Sequence, residues 1–216
     1  MRLGIYGGTF DPIHIGHLRM AVEVQEKFSL DKVVLIPCNT PPHKENGAAA
    51  SARDRLAMVR MAVEGRAGLE ASDMEIRQGG PSYTVATLEA LQSPDKEIFF
   101  ILGLDAFLEI HTWKEYERLF SLAHFIVLAR PWQGGRAEMF HVEQYIRENL
   151  PGLAVPEPDQ GYFRALHENK RIYFAQTTAL DISATHIRKA VNQGKSIAFL
   201  APESVEKYIK RQGLYL

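Results

Sequence analysis

Short apolar runs alternate with amphipathic stretches along the chain, and the alternation predicts strands and helices in succession. Arg2 to Tyr6, Lys32 to Pro37, Leu69 to Met74, Glu97 to Leu102, His124 to Ala129 and Arg171 to Phe174 read as buried strands. Between them, Ile15 to Phe28 carries apolar residues at Ile15, Leu18, Val22 and Phe28, and Ser51 to Glu64 carries them at Leu56, Val59, Met61 and Val63. Both read as helices, as do Thr84 to Leu91, Trp113 to Leu119 and Met139 to Asn149. Ser183 to Val191 and Pro202 to Lys210 read as two more, with a serine cap and an early proline as start signals. Asn39 to Ala50, holding Pro41, Pro42 and Gly47, and Pro151 to Gln160, holding Pro151, Pro156, Pro158 and Gly152, read as loops. The order implies right-handed βαβ crossovers and a parallel sheet, an α/β fold. One domain is expected over 1–216, with 183–216 as a C-terminal helical part.

Composition narrows the class. With 216 residues, 46% of them hydrophobic, the chain can bury one sizeable core. No apolar run approaches the roughly 20 residues that span a bilayer, and the first residues are strand-like rather than a basic and then apolar leader. Neither membrane insertion nor export is expected. The single Cys38 has no partner for a disulfide, which suits a reducing cytoplasm. With 25 basic and 26 acidic residues, the net charge of -1 argues against a general binder of nucleic acid or anionic membrane. Any phosphate must be held locally.

Local signals of that kind exist. Gly7-Gly8-Thr9-Phe10-Asp11-Pro12-Ile13-His14-Ile15-Gly16-His17 packs a glycine turn and two imidazoles between a strand and a helix. A helix start offers unpaired N–H groups and partial positive charge, and His14 and His17, three apart, share one face there. The run reads as a nucleotide phosphate site. Zinc is the competing reading; it lacks a third His or a paired Cys. Ile182-Ser183-Ala184-Thr185-His186-Ile187-Arg188 opens a late helix with hydroxyls and a guanidinium, a second anion site or else a well-capped surface helix. His186 is expected at the surface. Lys44, in Pro41-Pro42-His43-Lys44 beyond the second strand, is a loop cation where parallel sheets gather ligands. Gly103 and Asp105 follow the fourth strand, where a carboxylate can accept from ribose hydroxyls or cap a helix. Trp113 either stacks on an aromatic ring or fills the core. Thr84 begins a helix after a glycine loop, and Arg130 ends the fifth strand as one more cation.

Taken together, these residues resemble the bacterial nicotinate-nucleotide adenylyltransferases of the nucleotidyltransferase superfamily, over nearly the whole chain. The Gly-Gly-Thr-Phe-Asp-Pro-x-His-x-Gly-His and Ile-Ser-x-Thr-x-Ile-Arg runs carry the superfamily, and Pro41-Pro42-His43-Lys44 with Trp113 narrows it. The resemblance implies a Rossmann-like doubly wound sheet with a small C-terminal helical part. It implies ATP bound by Gly7, Gly8, Thr9, Phe10, His14, His17, Gly103, Asp105, Ile182, Ser183, Thr185 and Arg188. Nicotinate mononucleotide would meet Lys44, Thr84, Trp113, Lys114 and Arg130, and His14, His17, Lys44 and Arg188 would carry catalysis. Mg²⁺ would be held by substrate phosphates and not by a protein ligand set. The partners implied are these small molecules, without nucleic acid or membrane; a homo-oligomer is compatible. Ala184 departs from the family by standing where a second serine is usual. The nearest alternatives are a pantetheine-phosphate adenylyltransferase and a non-catalytic nucleotide sensor.

Overall fold

The computed structural model describes residues 1–41, 47–129, 136–157, 162–165, 170–178 and 180–216. The chain begins with β1 (Arg2–Gly8), α1 (Ile15–Lys27), β2 (Lys32–Pro37), α2 (Ala52–Val63), β3 (Leu69–Ala71) and α3 (Met74–Gln78). It continues through α4 (Thr84–Leu91), β4 (Glu97–Gly103), α5 (Leu104–Phe107), a 3-10 turn at Ile110–Thr112, α6 (Tyr116–Leu122) and β5 (His124–Ala129). Then come α7 (Arg136–Asn149), β6 (Ala154–Glu157), β7 (Tyr162–Ala165), β8 (Arg171–Gln176), α8 (Ala184–Asn192) and α9 (Glu203–Gln212). Strand order runs outward from β1 on both sides, the doubly wound α/β pattern.

Two compact units result. One, Met1–Ile5 with Tyr83–Thr178, has the order β1-β4-β5-β8-β7-β6. β4 and β5, and β5 and β8, pair in parallel. Ile98 to Leu102 and Phe125 to Leu128 are buried without interruption, as strands covered on both faces should be. The other unit, Tyr6–Ser82 with Ala179–Leu216, has the order β3-β2-β1 and packs α9 on α2 through contacts that include Tyr208 Oη donating to Asp54 Oδ1 at 2.9 Å.

Four expectations need correction. β3 stops at Ala71 and Met74 starts a helix, because the Asp73 carboxylate pairs with Arg60 at 3.1 Å and Arg77 at 2.9 Å. Polar Ser72-Asp73 ends the strand. The helix expected from Trp113 starts at Tyr116, after Glu115 turns through the left-handed region at φ 51°. Part of the supposed loop 151–160 is strand β6, antiparallel to β7; Pro156 is tolerated because β6 is an edge. On α1 the fully buried residues are Gly16, Ala21 and Val24, not the larger residues of the apolar pattern.

Candidate active site

The end of β1 leads into a turn whose side chains are committed to packing. Phe10 has φ 48°, rare for a residue with a Cβ, and its ring is buried edge-on to Tyr6 (5.5 Å) and His17 (5.2 Å). A Cβ on Gly8 would stand 3.0 Å from that ring, so a side chain there would press on Phe10. The Phe10 side chain belongs to the core. Only its backbone is left to meet a ligand.

His14 is the residue before α1, extended at φ -144°, and its N–H donates to Nδ1 of His17 at 3.3 Å. The two rings stack at 3.6 Å. Gly16 stands between them because a Cβ there would press within 3.1 Å of the His14 ring. Burial pushes His14 down to about 4, and burial with the neighbouring His14 holds His17 well below the usual histidine range. Both are neutral at pH 7. The pair therefore adds no formal charge in the free protein: with Nδ1 accepting, neutral His17 carries its proton on Nε2 and is an uncharged donor. His14 Nδ1 is buried without a hydrogen-bond partner. Zinc finds no support, since the described residues hold no group of three His, Cys, Asp or Glu able to bind a metal.

The late motif folds as the capping argument requires. Ser183 Oγ accepts from His186 N–H at 3.1 Å, and His186 is exposed. Arg188 donates through Nη1 to the Asp11 carbonyl at 2.8 Å and through Nη2 to Thr185 Oγ1 at 3.2 Å. Arg188 thereby ties two motifs 177 residues apart into one cluster, with Thr185 orienting its guanidinium.

Three residues of this unit escaped the sequence reading. Asp11 is 4% exposed, and its carboxylate accepts from Ala49 N–H (2.7 Å), Ala50 N–H (3.1 Å) and Tyr215 Oη (2.7 Å). Arg55 is 1% exposed and donates to the carbonyls of Thr9 (2.8 Å), Asn39 (2.9 Å) and Ala50 (3.3 Å). A cation among Leu56, Met58 and Val59 on the apolar face of α2 was the one signal available for Arg55. Tyr215 had none. Cys38, 3.7 Å from Arg55 Nη1, is a buried thiol pushed up mainly by burial, a packing residue and not a nucleophile.

In the other unit, Gly103 ends β4 and precedes α5, with open space where a Cβ would go. Asp105 lies in the first turn of α5 and is exposed; Gly103, not Asp105, holds the cap position. Thr84 is the first residue of α4, and Lys114 Nζ lies 4.6 Å over the ring of the preceding Tyr83. Trp113 is half-buried, edge-on to Phe100 at 6.2 Å. Lys44 and Arg130 lie outside the described residues.

The profile of the cytidylyltransferase-like family matches residues 5–190, which takes in both motifs. A protein of Desulfatibacillum aliphaticivorans named probable nicotinate-nucleotide adenylyltransferase is 98% identical over 216 residues, all of both chains. One of the same name from Geobacter sp. (strain M21) is 43% identical over 219 residues, covering 100% of this chain and 99% of its own. This chain belongs to the nicotinate-nucleotide adenylyltransferase family. The fold agrees: the Plasmodium falciparum nicotinic acid mononucleotide adenylyltransferase complexed with NaAD superposes with a TM-score of 0.70 at 18% identity, covering 99% of this chain and 97% of that one. Hydrogen-bond donors and a guanidinium are the groups gathered where the two motifs meet. Among the described residues no helix is long and apolar enough to cross a membrane.

Proposed function

We propose that this chain transfers the adenylyl group of ATP to nicotinate mononucleotide, giving nicotinate adenine dinucleotide and pyrophosphate in NAD biosynthesis, as a soluble cytoplasmic enzyme. The observation that carries the reading is Arg188 donating to Asp11, which unites the histidine turn and the late Ser-Thr-Arg helix start in one donor cluster. A phosphate monoester is already an anionic nucleophile, so its oxygen attacks the α-phosphorus directly; the new P–O bond forms as the bond to pyrophosphate breaks. No general base is required. The protein supplies placement and charge stabilisation.

In this reading Gly7, Gly8, Thr9 and Phe10 offer backbone to the triphosphate, His14 and His17 donate neutral N–H groups, and Arg188 supplies a formal charge beside Ile182, Ser183 and Thr185. Gly103 and Asp105 take the adenosine; Lys44, Thr84, Trp113, Lys114 and Arg130 take the mononucleotide. Mg²⁺ would be held mainly by the substrate phosphates; among the described residues no group of three His, Cys, Asp or Glu is placed to bind a metal. When bound it neutralises phosphate charge.

The test is pyrophosphate release from ATP and Mg²⁺ with nicotinate mononucleotide, its amide and phosphopantetheine as rival acceptors. Nicotinate mononucleotide is expected to give the highest kcat/KM. Faster turnover of phosphopantetheine, or none with any acceptor, overturns the proposal.

A further inference from the structure

Beyond α9 the backbone makes a feature that the matched span of the family, residues 5–190, does not include. Gly213 ends the helix in the left-handed region, Leu214 N–H returns to the Ile209 carbonyl at 3.1 Å, and Tyr215 itself sits at φ 67°. Non-glycine residues adopt that conformation rarely, and here it accompanies a half-buried ring whose hydroxyl reaches the Asp11 carboxylate at 2.7 Å. Burial first and Asp11 next push the Tyr215 hydroxyl up, so it stays a proton donor at every working pH.

Asp11 is the junction. Its carboxylate collects Tyr215 and the amides of Ala49 and Ala50, while its carbonyl receives Arg188. The next residue but one before it, Thr9, is held by Arg55. A buried carboxylate that keeps all its donors is fixed in place; losing one leaves it free to shift toward those that remain. Where that shift is carried into the Asp11 backbone, it moves the carbonyl on which Arg188 rests.

We propose that Tyr215 is a positioning residue for the ATP phosphate site, acting through Asp11 on the Thr9–Asp11 turn and on the Arg188 guanidinium. The claim rests on the ATP reading above. Tyr215→Phe keeps the ring and deletes one of the three hydrogen bonds to the carboxylate, so it separates the hydroxyl from general packing. Wild type, Tyr215→Phe and Asp11→Asn are compared in turnover with ATP, Mg²⁺ and nicotinate mononucleotide, in ATP binding by calorimetry, and in thermal midpoint.

Tyr215→Phe should lose about tenfold in kcat/KM for ATP and in ATP affinity, with KM for the mononucleotide within about twofold of wild type. Asp11→Asn should lose more on the same axis. ATP parameters of Tyr215→Phe equal to wild type, whatever its midpoint, overturn the proposal; so do equal losses for both substrates, which signify general loosening. If the wild type turns over a different acceptor, the functional reading fails while the calorimetric ATP comparison still decides the Tyr215 claim.

Discussion

Replacing Arg55 with methionine tests whether a buried guanidinium holds the phosphate turn together. Methionine has similar length and no donors, so the carbonyls of Thr9, Asn39 and Ala50 lose the partners they have at 2.8, 2.9 and 3.3 Å. Two of these bonds are short and charge-assisted, worth about 1.5–3 kcal/mol each, and the third is marginal. Against this, the variant no longer has to desolvate a cation, a return that offsets part of the loss. The balance is a destabilisation of about 3 kcal/mol, which lowers the thermal midpoint by about 10 °C in a chain of this size. Arg55→Lys keeps the charge, but a single ammonium cannot present a planar fork to three carbonyls, so it should fall between the two. Urea unfolding followed by far-ultraviolet circular dichroism at pH 7 measures the differences. An Arg55→Met protein within 1 kcal/mol of wild type would refute the hydrogen-bond argument.

The remaining predictions concern the histidines. His17→Ala should cut turnover by about a hundredfold or more while leaving the circular dichroism spectrum close to wild type, with a lower thermal midpoint from the lost contacts to His14 and Phe10; near-normal turnover sinks its role as donor. Acid should weaken the fold through His14: its pKa is about 4 folded against 6.5 unfolded, so the unfolded chain binds more protons between those values. That contribution is fully present above pH 6.5 and is lost as pH falls toward 4, about 3 kcal/mol in all. His17, stacked on it and also lowered, acts in the same direction. Urea midpoints measured from pH 7.5 to 4.5 in wild type and His14→Gln should converge at acid pH, and parallel profiles would count against the assignment.

How much was legible in the sequence depended on whether the deciding partner was near in the chain. β2, β5 and α4 have the bounds their apolar patterns implied; in β5, Phe125 to Leu128 are buried in succession, which leaves little freedom of register. His14 and His17 announced themselves because a spacing of three acts within one helical turn, whereas the packing of Gly16 against the His14 ring went unread. Asp11 did not announce itself, since its decisive partner, Tyr215, lies 204 residues away. Arg55 was hidden by its type, as a charged residue on a helix is usually assigned to solvent. The start of α6 was missed because a left-handed Glu115 has no composition that marks it.

On the proposed reading, these partners let a chain with net charge -1 offer a polyanion site. Burial holds His14 and His17 below the usual histidine range, so the neutral imidazoles contribute directed hydrogen bonds and no formal charge. The field comes from guanidinium groups that cannot be deprotonated: Arg188 at the turn and Arg55 behind it, bonded to the Thr9 carbonyl. At an effective dielectric near 20, a cation about 8 Å from a phosphate charge is worth about 2 kcal/mol. Asp11 opposes that attraction with its own charge, yet its carboxylate is occupied by two amides and a hydroxyl, all facing the fold. It therefore fixes the backbone on which Arg188 rests while three donors soften its repulsion. On the proposed reading, directional donors in front, permanent charge behind and a hydrogen-bonded carboxylate as the anchor would order a triphosphate instead of merely attracting one.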